Sequence, residues 1–312
     1  MNTNRWLVIA NLSAGGGKAR RDWDRIAFLL DKHDFQYDTE FTERRLHAMV
    51  IARNKIQEGY KQIIVVGGDG TMNEVINGVF GQTETPTTEI MLGMITVGTG
   101  NDWSKMFDIP TDYEEAVETI KQQKTFVQDA GMVTYRKQEQ TWNRYFINIA
   151  GMGFGARVVA KSNKLKDKGK SNPSLYLVNI FTSLMGYKSI KASIHIDGES
   201  IDRKVFSLNI GIGKYNGGGM IQVPDAIADD GLYSITLIKK MGRLRIIASM
   251  KMLYNGKIGS HKKVETYTGK VISVDSPRQL HLETDGETLG HSPMEFQIIP
   301  RSVTVIANNI SA

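Results

Sequence analysis

From Trp6 to about Phe126, short apolar runs alternate with amphipathic stretches of helical period. Strands are predicted at Trp6–Ala10, Tyr37–Phe41, Gln62–Val66 and Met91–Val97. Helices are predicted at Asp22–Lys32, Arg44–Glu58, Thr71–Phe80 and Tyr113–Gln122, and Pro110 separates the last from a short amphipathic stretch, Trp103–Phe107. Strand and helix in turn are the signature of a doubly wound parallel sheet, an α/β fold. After Asp129 the pattern changes. Ala130–Tyr135, Asn143–Ile149, Ala192–Ile196, Lys204–Ile210, Leu232–Ile238, Val264–Ser273, Leu280–Thr284 and Met294–Ile299 read as short strands separated by turn residues. Two helical inserts, near Ser174–Tyr187 and Gly242–Tyr254, interrupt them. Many strands with few helices predict an antiparallel β-sandwich.

Composition narrows the class. At 312 residues, 41% hydrophobic and 23% charged, the chain can bury two domain cores. It has no cysteine, which excludes disulfides, thiolate catalysis and cysteine-ligated metals and leaves oxygen ligands and six histidines. No run of 18 apolar residues occurs, and Met1–Arg5 lacks the apolar segment of a signal peptide, so a cytoplasmic location is expected. The net charge of +6 fits an anionic partner. Nucleic acid is disfavoured as that partner, because the lysines are not interleaved with aromatic residues and no nucleic-acid motif is present.

The candidate chemistry sits where apolar runs end. Ile63–Glu74 reads IIVVGGDGTMNE: a strand, a glycine turn at Gly67, Gly68 and Gly70, and a helix start at Thr71. Such a junction aims backbone N–H groups and the positive end of a helix at one spot, which suits a phosphate chain. Asp69, among those glycines, would repel a phosphate unless a divalent cation lay between them, so it points to Mg2+. Val97-Gly98-Thr99-Gly100-Asn101-Asp102 repeats the design after the next apolar run. Two such strand ends can face one nucleotide at the carboxyl edge of a parallel sheet, and phosphoryl transfer is the leading reading. Helix capping and turn formation are the structural alternatives for both aspartates.

Taken in order, GGDGTMNE at 67–74, GTGND at 98–102, the opening Asn11 to Gly15 and Asp285-Gly286-Glu287 resemble the diacylglycerol kinase catalytic family of soluble bacterial lipid kinases, relatives of sphingosine and NAD kinases. The resemblance spans about residues 5 to 306. It implies a nucleotide-binding domain at 1–129, a sandwich domain at 130–300 for the lipid, and a last strand, within 301–312, that returns to the first domain. It implies ATP contacts from Asn11, Gly15, Thr42, Gly67, Gly68, Asp69, Gly70, Thr71, Asn73, Glu74, Thr99 and Asn101. Mg2+ would be held by Asp69 and Asp102 with Asp129 in support, and Asp285 or Glu287 would be the base for the lipid hydroxyl. The family usually has proline where Leu12 stands. Asp229-Asp230-Gly231-Leu232 is similar to a segment that binds a structural Mg2+ in some members, which carries over only Asp230 and the Leu232 carbonyl, since Ile227 stands where an acid is expected.

A lipid substrate implies peripheral contact with the inner membrane face. Lys161, Lys164, Lys166, Lys168 and Lys170, followed by the apolar stretch Leu175–Tyr187, read either as a membrane-facing basic patch or as a solvated loop before a core helix. An NAD kinase-like phosphotransferase and a catalytically silent nucleotide-binding regulator are the alternatives. The lipid acted on and the oligomeric state, a homodimer included, stay open.

Overall fold

The computed structural model describes residues 5–98, 100–166 and 173–308, with side chains at all of these except 166 and 173–177. The chain forms two compact units, Met1–Asp129 with Arg301–Ala312, and Ala130–Pro300.

The first unit runs β1 (Trp6–Ala10), α1 (Ala14–Lys32), β2 (Tyr37–Phe41), α2 (His47–Gln57), β3 (Gln62–Gly67), α3 (Asp69–Phe80), β4 (Met91–Thr96), α4 (Asp102–Met106) and α5 (Tyr113–Gln122). Strands β2, β1, β3 and β4 pair in parallel in that order, and Thr304 and Val305 pair in parallel with Met91 and Leu92. This is the doubly wound sheet with a returning final strand. The inner strands are unbroken apolar runs because helices cover both faces, and every residue of β1 is buried. The edge strand β2 is only partly covered. Val8, Ile64 and Ile95 of the sheet share one core with Ile26 and Leu30 of α1 and Ile120 of α5. Burying each such side chain stabilises the fold by about 1.5–3 kcal/mol.

Helix starts depart from the sequence reading for local reasons. Gly15, Gly16 and Gly17 all lie at left-handed φ, 61°, 66° and 82°, so the regular turns of α1 begin at Lys18, earlier than the predicted Asp22. Leu46, at φ 62°, cannot continue a right-handed helix, and α2 starts at His47 instead of Arg44. For α5, the Asp112 carboxylate accepts from the Glu114 and Glu115 amides, an ordinary N-cap.

The second unit contains β5 (Thr125–Lys137), which starts in the first unit, β6 (Gln140–Phe146), β7 (Ile149–Gly153), α6 (Phe154–Lys166), α7 (Pro173–Leu184), β8 (Ile190–Ile196) and β9 (Glu199–Gly211). There follow β10 (Tyr215–Asn216), β11 (Met220–Ile221), β12 (Tyr233–Lys239), α8 (Arg243–Tyr254), β13 (Val264–Gly269), β14 (Val271–Asp275), β15 (His281–Thr284) and β16 (Glu287–Ile306), whose end lies in the first unit. Antiparallel pairs link β9 to β7, β7 to β15, β15 to β16, β16 to β14, β14 to β8 and β8 back to β9. The six strands close a ring, with β12 and β13 added beside β9, to give the expected antiparallel sandwich. Phe154 and Val158 of α6, Ile180 and Leu184 of α7 and Phe206 of β9 form an apolar cluster of this unit.

Two predicted strands and one segment without a predicted element are corrected here. Asn143–Ile149 is two strands, because the Ile147 and Asn148 amides leave the ladder for the Asp285 carboxylate. Val264–Ser273 is also two, broken where Asp197 takes the Lys270 and Val271 amides. Residues 154–166, given no regular structure by the sequence, form α6, so Lys161 and Lys164 stand on a helix and not in a loop. Lys161 donates to the Thr182 hydroxyl of α7, while Lys168 and Lys170 lie outside the described residues. Among the described residues, no helix is long and apolar enough to cross a membrane.

Candidate functional site

In the first unit, the ends of β1, β3 and β4 come together. The Asn11 amide donates to the Thr71 hydroxyl (3.0 Å), and its carbonyl oxygen accepts from the Ser13 N–H (3.1 Å). The Thr42 N–H donates to the Ala10 carbonyl (3.0 Å), which places the end of β2 beside the same edge. A Cβ on Gly15 would lie 2.3 Å from the Val97 carbonyl oxygen, and one on Gly98 would lie 2.8 Å from the Gly68 Cα. The glycines therefore let three turns touch backbone to backbone, which no side chain at these positions permits. Asp69 locks two of the turns: its oxygens accept from the Asp102 N–H (3.0 Å) and the Trp103 N–H (3.1 Å) at the start of α4.

Whether this arrangement suits a nucleotide with Mg2+ can be judged at Gly100. A Cβ there would sit 3.3 Å from one Asp69 oxygen and 3.5 Å from one Asp102 oxygen, so its absence leaves a space that both carboxylates face. The buried side-chain amide oxygen of Asn101, 2.6 Å from where a Gly98 Cβ would stand, has no hydrogen-bond partner among the described residues. Two carboxylates facing one space are hard donors of the kind Mg2+ takes. Lys105, overlooked in the sequence, lies 3.2 Å from Asp102 and donates to the Gly100 carbonyl (2.8 Å), adding a cation to the same turn. Its signal was the three-residue spacing from Asp102 on a helix.

Other expected contacts fall differently. Gly67 and Gly70 flank the Asp69 turn. Asn73 is fully buried within α3. The Glu74 carboxylate accepts from the Leu46 N–H (2.8 Å) and the Ala48 N–H (3.1 Å), capping α2. Thr99 lies outside the described residues. Asp129 is buried and accepts from the Arg301 N–H (2.7 Å). Among the described residues, the single acid-and-histidine trio with ligand atoms within 4.8 Å is His33, Glu114 and Glu118, so Asp69, Asp102 and Asp129 are not gathered into one such group. Asp230 is exposed and accepts from the Leu232 N–H (2.9 Å) across its own turn.

In the second unit, three acids within five residues have three environments. Asp285, 7% exposed, accepts from the backbone amides of Ile147, Asn148 and Ile149, each at 3.1 Å. Glu283 is 1% exposed and was missed by the sequence reading, where it is one polar residue in a strand. Asn216 donates to one of its oxygens (2.8 Å) and the Gly286 N–H to the other (3.0 Å). Burial raises its pKa to about 7 against these two bonds, with Asp285 and Glu287 adding to the rise. Glu287, at the start of β16, is only partly buried. Glu283 thus holds the turn between the two residues singled out as bases, and Asp285 spends its oxygens on the backbone.

Two family models and several known proteins match the chain. The profile described as diacylglycerol kinase catalytic domain matches residues 5–133, and that described as YegS C-terminal NAD kinase beta sandwich-like domain matches residues 148–307. A diacylglycerol kinase of Staphylococcus aureus (strain bovine RF122 / ET3-1) is 29% identical over 307 residues, 98% of this chain and 93% of that relative. One from Staphylococcus carnosus (strain TM300) is 27% identical over 303 residues, 96% of this chain and 94% of that relative. Among solved structures, a diacylglycerol kinase from Bacillus anthracis str. Sterne shares the fold with a TM-score of 0.72 at 21% identity, each chain covered in full. Yeast NADH kinase does so at 0.53 and 12% identity, over 100% of this chain and 85% of that one.

Proposed function

The chain belongs to the family that joins a diacylglycerol kinase catalytic domain to a YegS-type C-terminal sandwich, and on that premise we propose that it is an ATP- and Mg2+-dependent lipid kinase. It transfers the γ-phosphoryl group to the hydroxyl of diacylglycerol or a related lipid at a membrane surface. The meeting of three glycine-bearing strand ends around Asp69 carries this reading.

The first unit supplies the nucleotide contacts. Backbone N–H groups of the turns at 11–17 and 67–71 that are not already bonded within the fold would donate to phosphate oxygens, and Asn11 fixes the Thr71 hydroxyl that joins them. Asp69 and Asp102 would hold Mg2+, whose contribution when bound is to neutralise charge on the β- and γ-phosphates. Phosphoryl transfer then requires a carboxylate to take the proton of the attacking hydroxyl as its oxygen bonds to the γ-phosphorus and ADP leaves. Glu287 is the residue we assign to that proton. Asp285 already accepts three amide bonds from Ile147 to Ile149, so its place is in shaping the turn.

The test is transfer of label from γ-labelled ATP with Mg2+ into a total lipid extract, with Glu287→Gln beside wild type. Label in a lipid that disappears in the variant supports the assignment. Label in added NAD and none in lipid would move the chain to NAD kinase chemistry, and no transfer to either despite ATP binding would make it a silent nucleotide binder.

A further inference from the structure

The second unit has an open groove of about 1220 Å3 whose floor includes Leu184, Tyr187, Phe206 and Ile246. Tyr187 and Phe206 meet edge to face at 5.5 Å, and the Tyr187 hydroxyl donates to the Phe206 carbonyl (3.0 Å), so the floor is fixed. Every charged residue lining the groove is a cation.

Those cations break two local rules of charge placement. Lys191 of β8 is the register partner of Lys204 of β9, and the Lys240 N–H donates to the Lys204 carbonyl, so three lysines stand in one row across neighbouring segments. Like charges in cross-strand register are destabilising. Next in the chain, Arg243 and Arg245 occupy the first turn of α8, the helix end that disfavours cations, and no acid accompanies them there. The contrast with the adjacent positions is sharp. Arg203 and Lys239, one residue before Lys204 and Lys240, both pair with Glu265, at 2.9 and 2.7 Å. Because side chains alternate along a strand, Arg203 and Lys204 lie on opposite faces; the acid on the Lys204 face, Asp202, accepts from the Ser193 hydroxyl, and among the described residues it forms no ion pair with Lys191 or Lys204. Among the described residues, no ion pair engages Lys191, Lys204, Lys240, Arg243 or Arg245. Leu244, between the two arginines, is 84% exposed.

We propose that this groove and the start of α8 form a docking surface for an anionic phospholipid bilayer. The lysine row and the two arginines meet lipid phosphates, and Leu244 enters the interface among the headgroups. Charge complementarity selects this occupant, because cations around a protruding apolar side chain match the layered chemistry of an anionic bilayer surface. The surface lies outside the basic run at 161–170. It does not depend on the kinase reading, since docking needs neither nucleotide nor turnover.

The experiment is co-sedimentation of the full chain, without nucleotide, with phosphatidylcholine vesicles and with vesicles containing one third phosphatidylglycerol. Wild type is expected on the anionic vesicles. Arg243→Glu with Arg245→Glu should lower the partition coefficient at least about tenfold, and Leu244→Ser severalfold. Lys191→Gln with Lys204→Gln, which relieves like-charge repulsion and so should not unfold the chain, should also weaken binding while leaving the melting temperature unchanged or raised. Equal sedimentation with neutral vesicles, or unchanged binding by all variants, overturns the proposal. So does tighter binding to inorganic polyphosphate or duplex DNA through the same residues, which would make the groove a site for soluble polyanions.

Discussion

Asp69, which opens α3 just past β3, and Asp285, in the turn just past β15, both accept backbone amides. Asp69 takes two from described residues, both at the start of α4, and is half-buried beside the space that Gly100 leaves. Asp285 takes three, from the break between β6 and β7, and is almost wholly buried. On the proposed reading, the same side chain with the same kind of bond serves a ligand in one place and the fold in the other. What separates them is burial, partial at Asp69 and almost complete at Asp285.

The strongest way to break this comparison is in the second unit. Asp285→Ala leaves three buried amides without their acceptor and should cost about 3–5 kcal/mol of that unit's stability, read by denaturant unfolding. Glu287→Gln should change stability by less than about 0.5 kcal/mol and lower turnover about 10²- to 10⁴-fold. If Asp285→Ala unfolds at the wild-type midpoint and only activity falls, the roles are reversed.

Proton linkage gives the next largest effect and has opposite signs at two glutamates. Glu283 has a folded pKa of about 7 against 4.5 ordinarily, so the folded state keeps a proton that the unfolded chain releases. Stability is therefore lost as pH rises from about 4.5 to about 7, and urea midpoints for Glu283→Gln should be flatter across that window. Burial would raise Glu265 as well, but bonds from Lys239, Tyr267 and Arg203 bring it down to about 2. Its contribution is present above 4.5 and is lost as pH falls toward 2, and Glu265→Gln removes that acid limb.

Two smaller effects sharpen the picture of the first unit. Gly98→Ala must move backbone, since its Cβ would meet the Gly68 Cα at 2.8 Å, and ATP affinity measured by calorimetry should fall about tenfold or more. Glu74→Ala removes the acceptor at the start of α2 and should cost about 1 kcal/mol, with ATP affinity preserved. A large loss of affinity in Glu74→Ala would return that residue to the nucleotide.

The sequence revealed the parallel sheet because its inner strands are buried on both faces and so read as plain apolar runs, as in Trp6–Ala10. It revealed the glycine turns because a close backbone approach leaves no substitute for glycine. Phe154–Lys166 was not legible as a helix, since the preceding Gly151 and Gly153 and the lysines that follow read as loop. Nor could the division of labour among Glu283, Asp285 and Glu287 be read along the chain. It is decided by Ile147, Asn148, Ile149 and Asn216, all distant in sequence. The lysine row is likewise a matter of strand register, which places Lys191 opposite Lys204 and leaves no trace in composition.

The final strand has a consequence for how the protein is made. β16 ends by pairing with β4, whose other neighbour, β3, is complete by Gly67. During synthesis the β4 edge must wait for all of Ala130–Pro300 to emerge, roughly ten to thirty seconds at ordinary translation rates. Throughout that interval a nascent chain carries an unpaired parallel edge. A transcript truncated after the sandwich would release a polypeptide with that edge permanently open to other strands.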